Sequence, residues 1–243
     1  MSTASRAADY RDIWARKPVL RVVYEDYYRF LRSACREGRT LEIGGGPGNL
    51  REYFLPHIVS TDIQFAPWLD VVADAQSLPF ADASFDNLVM VDVLHHLVSP
   101  RRFFSEAQRV VRAHGRIVLI EPAITPVSSL FFRLLHHEPV DMRVDPLADI
   151  ASDKVRDPYD SNQAIPTLLF GRYRQAFAVH FPALKVKEKR WMSLLAYPLS
   201  GGFRPWSLMP AGLAGNVLRL ESVIAPVLGP LMAFRLAIVI DRL

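Results

Sequence analysis

The sequence holds a single cysteine, Cys35. An intrachain disulfide is excluded, and one thiol in 243 residues suits a reducing compartment such as the cytoplasm. Long basic runs are also missing. The 29 Lys and Arg are nearly balanced by 25 Asp and Glu, so the chain lacks the basic arm typical of a nucleic-acid partner. The first residues carry Arg6, Asp9, Arg11, Asp12, Arg16 and Lys17 with no apolar block behind them, which is not the pattern of a secretory signal. The most apolar stretch, 216–240, is interrupted by Arg219, Glu221 and Arg235 and by Pro226 and Pro230. It is expected to fall short of the roughly 18 uninterrupted apolar residues of a spanning helix. There is no internal repeat and no low-complexity segment. Half of the residues are apolar, enough for the core of one α/β domain.

The periodicity predicts a helix over 24–38, closed by Gly38, and then short apolar runs alternating with helical ones. Strands are expected at "TLEIG", "HIVSTDI", "LDVVAD", "FDNLVMVDV", "RIVLIEP", "LKVKEKRWMSL" and "RLAIVIDRL". "GNLREYFLP" should open a helix that Pro56 closes. Ser99 followed by Pro100 reads as a helix start, with Gly115 as its stop. Further helices are expected near 127–137 and over 211–232, with a loop at "YPLSGGFRPWSLMP". Strands and helices in this rhythm argue for a doubly wound sheet with helices on both faces.

"TLEIGGGPGNL" places four glycines directly after the first strand. Bare main chain there lets a ligand approach without Cβ obstruction, beside the unpaired N–H groups that begin the next segment. The spacing, Gly44-x-Gly46-x-Gly48, is not the G-x-G-x-x-G of nicotinamide folds. Glu42 lies inside the strand just before the loop. Asp62 ends the second strand 20 residues later, where a carboxylate can accept from two ribose hydroxyls. Asp74, a "LPF" turn, "SFD", "LHHL" and "EAQRVVRAHGRIVLIEP" follow in order.

This succession, over roughly 38–122, resembles the small-molecule branch of the class I S-adenosylmethionine-dependent methyltransferases. "AHG" at 113–115 departs from the Pro-Gly-Gly usual there. The resemblance implies a single methyltransferase domain over 1–243 with a Rossmann-like seven-stranded sheet, mostly parallel with an antiparallel last strand. It would divide into an N-terminal helical lid (1–38), a cofactor half (39–122) and an acceptor half (123–243) with an apolar insertion at 197–232. Gly44, Gly45 and Gly46 would pass the methionine end of S-adenosylmethionine, and Glu42 would brace the loop or meet the ammonium. Asp62 would take the ribose, Ile63 would pack on the adenine, Asp74 and Ala75 would read its amine, and Val91 would offer its carbonyl. The product would be S-adenosylhomocysteine.

Methyl transfer from a sulfonium needs alignment and desolvation, and a hydroxyl acceptor needs a base. The candidates are His137 first and His96 second, with Glu138 near the acceptor. Tyr10 and Trp14, four apart on one helical face, are expected at the substrate. Two remote pairs of adjacent histidines lack a metal-ligand spacing, so no metal is expected. The apolar insertion points to a small-molecule acceptor with an apolar part, methylated at oxygen, and leaves a peripheral membrane contact or a dimer surface open; oligomeric state is not fixed. Two alternatives remain: a chain that binds the cofactor structurally or for another reaction such as cyclisation, and a nicotinamide reductase, which the glycine spacing opposes. No Asn/Asp-Pro-Pro-Tyr/Phe follows the fourth strand, against a nucleic-acid base as acceptor.

Overall fold

A computed structural model describes residues 3–243 except 55, 136–137, 150–156 and 158–159. Among the described residues, seven strands form one sheet: β1 (Thr40–Ile43), β2 (Ile58–Asp62), β3 (Val71–Val72), β4 (Phe85–Val91), β5 (Val111–Pro122), β6 (Leu184–Met192) and β7 (Arg235–Arg242). Their order is β3-β2-β1-β4-β5-β7-β6. β1 to β5 pair in parallel, whereas β7 runs antiparallel to both β5 and β6.

The central strands are apolar on both faces because each face builds its own core. Leu88 and Met90, Ile117 and Leu119, and Ile238 and Ile240 point into one core. Val89, Val118, Ile120, Ala237 and Val239 point into the other. The first core is closed by α4 (Pro100–Val110), whose Phe103, Phe104 and Ala107 are fully buried, with α6 (Ile165–Leu169) and α7 (Arg174–His180). The second is closed by α2 (Pro18–Ala34), α8 (Ala196–Ser200) and α9 (Ala211–Met232), with α1 (Thr3–Arg16) packed on α2. The remaining helices are α3 (Arg51–Phe54) and α5 (Pro126–Leu135).

Several expectations need correction. The helix over 24–38 begins earlier, at Pro18, whose ring suits a first turn, and ends at Ala34, ahead of Gly38. Its Leu20, Val23, Tyr27 and Leu31 are buried, so α2 is core and not lid. The helix after the glycine loop is a single turn, Arg51–Phe54. α4 starts at Pro100 with Ser99 Oγ accepting the Arg102 N–H, but it stops at Val110, because Val111 already pairs with Phe85. Gly115 therefore lies inside β5, where a Cβ would come 2.6 Å from the Asp86 carbonyl oxygen. Part of the expected loop at 197–210 is α8. α9 has the expected bounds and is, by length and composition, apolar enough to cross a membrane. The 216–240 window fell short because it ran into β7 and took in Arg235, whereas Pro226 and Pro230 are carried inside the helix.

Candidate active site

The C-terminal ends of β1, β2 and β4 open on a cavity of about 510 Å³, within the range of small-molecule sites. The glycine loop forms one wall. Gly44 takes φ +71°, and a Cβ on it would lie 2.2 Å from Val93 Cγ2. A side chain is barred twice there, by backbone region and by space. Gly46, at φ +43°, donates its N–H to Asp62 Oδ2 at 3.0 Å. Asp62 Oδ1 accepts the Gln64 N–H at 2.9 Å. The Trp68 indole N–H donates to the Gly46 carbonyl at 2.8 Å, and the Arg11 guanidinium of α1 lies 4.4 Å from the centre of the Trp68 ring. The loop is thus fixed from both sides.

Beneath it, Glu42 is buried and accepts from the Ser60 hydroxyl. Burial pushes its carboxyl up to about 7, the Ser60 hydrogen bond working against that rise. Ile63, 51 % exposed, and Val91 and Ala75 also line the cavity. Asp74 lines it too while accepting the Gln76 N–H at 2.8 Å in a side-chain turn.

The floor is polar. Asp92, at the end of β4, is held at φ +57°, a region few non-glycine residues occupy. Its Oδ2 accepts from Arg235 at 3.1 Å and from Tyr24 at 3.4 Å, and Arg235 lies 4.0 Å from the centre of the Tyr197 ring. Burial raises the Asp92 carboxyl against the pull of Arg235. Asn49 Nδ2, Asp92 Oδ1 and Gln163 Oε1 are buried without a partner among the described residues, and all three residues line the cavity. Buried polar atoms are costly unless bonded, so the chamber fits a ligand with both donors and acceptors.

Two adjacent histidines sit on a single 3₁₀ turn, Leu94–His96. His95 Nδ1 lies 2.8 Å from Glu121 Oε2, and its Nε2 lies 3.6 Å from Glu138 Oε2. Burial alone would lower its pKa; the hydrogen bonds to Glu121 and Glu138 outweigh burial and push it up to about 9. His96 moves the other way, down to about 4, through burial first and the neighbouring His95 charge second. Its Nδ1 lies 3.2 Å from the Asp160 carbonyl, which assigns the proton to Nδ1 and leaves an Nε2 lone pair. One ligand atom each from His95, His96 and Glu138 lies within 4.8 Å of the others. Both His95 ring nitrogens already face carboxylates, however, and that arrangement holds a proton.

A pH dependence follows. The folded pKa of His95 lies above its unfolded value, so its contribution to stability is whole below about 6.5 and is lost as pH rises through about 9. The melting temperature of the ligand-free protein should fall across that window, and His95→Gln should flatten the slope. An unchanged slope in the variant would show that the ion-paired imidazole is not its source.

Of the residues expected from sequence, Glu42, Gly44, Gly45, Gly46, Asp62, Ile63, Asp74, Ala75, Val91, His96, Glu138 and Tyr10 line this one cavity. His137 lies outside the described residues. Trp14 does not reach the cavity and its substrate assignment is corrected. It is buried, 6.0 Å from Tyr24 and 6.1 Å from Tyr28 between ring centres. Tyr10, a turn earlier, meets Phe203 at 4.8 Å on the cavity rim; the chamber ends between the two turns of α1. Asp92, His95, Glu121 and Arg235 were not among the site residues expected from sequence. The available signal was a charge inside an apolar strand: Glu121 in "RIVLIEP" and Arg235 opening "RLAIVI".

Residues 41–119 match the methyltransferase-domain family. An uncharacterised protein of Methanocaldococcus jannaschii is 29 % identical over 105 residues, covering 40 % of this chain and 51 % of that protein. A demethylmenaquinone methyltransferase of Clavibacter sepedonicus is 44 % identical over 57 residues, 24 % of this chain and 23 % of that protein. The chain therefore spans about half or less of the length of these curated relatives. The crystal structure of geranyl diphosphate C-methyltransferase from Streptomyces coelicolor A3(2), in complex with Mg²⁺, geranyl diphosphate and S-adenosyl-L-homocysteine, is similar with a TM-score of 0.51 at 12 % identity, over 90 % of this chain and 77 % of that one.

Proposed function

We propose, from the methyltransferase-domain match over 41–119 and the fold, that the chain acts as a class I S-adenosylmethionine-dependent methyltransferase and moves a methyl group from S-adenosylmethionine to a hydroxyl-bearing small molecule with an apolar body. One observation carries this reading. A single cavity is lined by the glycine loop and Asp62, by the rings of Phe131, Phe132, Tyr197 and Phe203, and by His95, His96 and Glu138. The residues present fit the cofactor. Main chain at Gly44–Gly46 and the Val91 carbonyl would hold its amino-acid end, with Glu42 below. Asp62 would accept from the ribose, Ile63 would meet the adenine, and Asp74 and Ala75 would take its amine.

The cofactor supplies an electrophilic methyl on a sulfonium; the chain has to align the acceptor, exclude water and remove a proton. His96 is the base, because its Nε2 is unprotonated at neutral pH and it lines the cavity. The similarity to a demethylmenaquinone methyltransferase and to a geranyl diphosphate methyltransferase supports an acceptor with an isoprenoid-like apolar part. Methylation at oxygen is the first reading. The second of these is a C-methyltransferase, which favours the alternative of a carbon beside an ionised oxygen. NMR of product made with isotope-labelled methyl separates the two.

Calorimetry tests the cofactor. S-adenosylhomocysteine should bind and a nicotinamide dinucleotide should not. A cationic ammonium near Glu42 favours the carboxylate, so binding should release a proton below the Glu42 value of about 7, and Glu42→Gln should abolish the release. The reading fails if S-adenosylhomocysteine does not bind, or binds with the same proton release in the variant.

A further inference from the structure

The outer faces of α5 and α9 do not look like solvated surface. On α9, Leu213 is 52 % exposed, Leu220 53 %, Val223 74 %, Val227 79 % and Leu231 48 %. Their spacing of three, four or seven residues puts them on one stripe of a 22-residue helix, about 33 Å long at about 1.5 Å per residue. On α5, which packs against α9, Leu130 is 60 % and Leu134 71 % exposed. α9 is apolar on its outer face as well as its inner one, so it lacks the polar face of an ordinary surface helix. A continuous apolar surface of this kind marks a docking site.

We propose that this face lies on an anionic lipid surface, with α9 and α5 in the plane of the interface. Charge chooses the occupant. Among the described residues, the charged side chains exposed on these two helices are Arg133 and Arg219, and no carboxylate accompanies them. A second copy of the chain docked face to face would set arginines against arginines with no acid to pair. Headgroup phosphates supply the missing anion, the arginine stems lie along the apolar boundary, and the aliphatic stripe enters the acyl region.

α9 cannot leave the domain to span a bilayer. Glu221, buried on its inner face, accepts the Leu195 and Ala196 N–H groups. Gly229 is pressed so close to β6 that a Cβ on it would lie 2.4 Å from Trp191 Cβ. The helix therefore lies flat, although its composition would suffice for crossing. The face is also continuous with the cavity: α5 shows Leu130 and Leu134 outward while Phe131 and Phe132 line the chamber. The loop bearing Trp206, which also lines the cavity, is held by Lys17, whose ammonium donates to the carbonyls of Gly202, Arg204 and Trp206 at 2.7, 2.6 and 2.8 Å. A membrane-dissolved acceptor would reach the chamber without crossing water.

The test needs neither cofactor nor acceptor, so its result is independent of the methyl-transfer reading. The full chain is mixed with vesicles of phosphatidylcholine alone and of phosphatidylcholine with phosphatidylglycerol, and bound protein is separated by flotation. Stronger binding to the anionic vesicles is expected. The triple variant Leu220→Glu, Val223→Glu, Val227→Glu should lose at least about tenfold in partitioning, and Arg133→Ala with Arg219→Ala should lose the preference for anionic lipid. All these side chains are exposed, and an unchanged melting temperature in each variant confirms the fold. Absence of vesicle binding by the native chain overturns the proposal, as does full binding by the triple variant. A native dimer in sedimentation that the triple variant dissolves overturns it in favour of a second copy.

Discussion

Glu121→Ala is expected to lower stability by about 3–5 kcal/mol, the range for stripping one partner from a buried charged cluster. In a chain of this size that is a fall in melting temperature of about 10 °C, at about 2–4 °C per kcal/mol. Glu121 is fully buried at the end of β5. Its Oε1 accepts the N–H groups of Val93 and Leu94, each at 2.8 Å, and its Oε2 faces His95 Nδ1 at 2.8 Å. Alanine would leave two N–H donors and the His95 Nδ1–H without their acceptor at the base of the cavity. Glu121→Gln should fall between, since its amide oxygen can still take the two N–H groups while its NH₂ opposes the His95 proton. Thermal melts of the three proteins measure this, and a loss under about 2 °C in the alanine variant would deny the carboxylate its place in holding the turn.

That cluster also shows where sequence reasoning stopped. Glu42 and Asp62 were legible because each stands at the end of its own strand beside a glycine loop whose spacing is local. The Ser99 cap and the bounds of α9 were legible for the same reason: one window of chain contains the whole signal. Arg235 and Asp92 lie 143 residues apart and meet because β7 runs antiparallel beside β5, an adjacency that no local pattern prints. The shortness of α3 was hidden because "GNLREYFLP" has helical spacing and only packing decides how much of it coils. Trp14 misled through a correct periodicity. It does share a helical face with Tyr10, but the cavity is one turn shorter than the face. The apolar insertion pointed to an acceptor pocket, a membrane contact or a dimer surface without choosing among them, since the side of α9 that the sheet leaves uncovered appears only in the fold.

His96→Ala is expected to reduce kcat by about 100-fold or more, the usual scale for loss of a positioned base, while S-adenosylhomocysteine affinity stays within about twofold. The two histidines share one turn, His95 buried and His96 half-buried, yet their charges are driven apart: carboxylates on both sides keep His95 protonated, and that charge helps keep its neighbour neutral. Divergent neighbours of this kind mark which group can accept a proton. His96 has its Nδ1 proton anchored on Asp160, so its lone pair is aimed by the backbone. The His96 value of about 4 makes it a weak base, so the acceptor hydroxyl has to be acidic, phenolic or enolic in character. The alanine variant should therefore regain turnover as pH rises through the ionisation of the acceptor itself, whereas a variant that had merely loosened the turn would not. Steady-state kinetics across pH with a phenolic, prenyl-tailed acceptor would decide the matter. A kcat within a few-fold of native, or a loss that alkali does not repair, would remove His96 from the chemistry and leave Glu138, in the same cluster, as the group to change next.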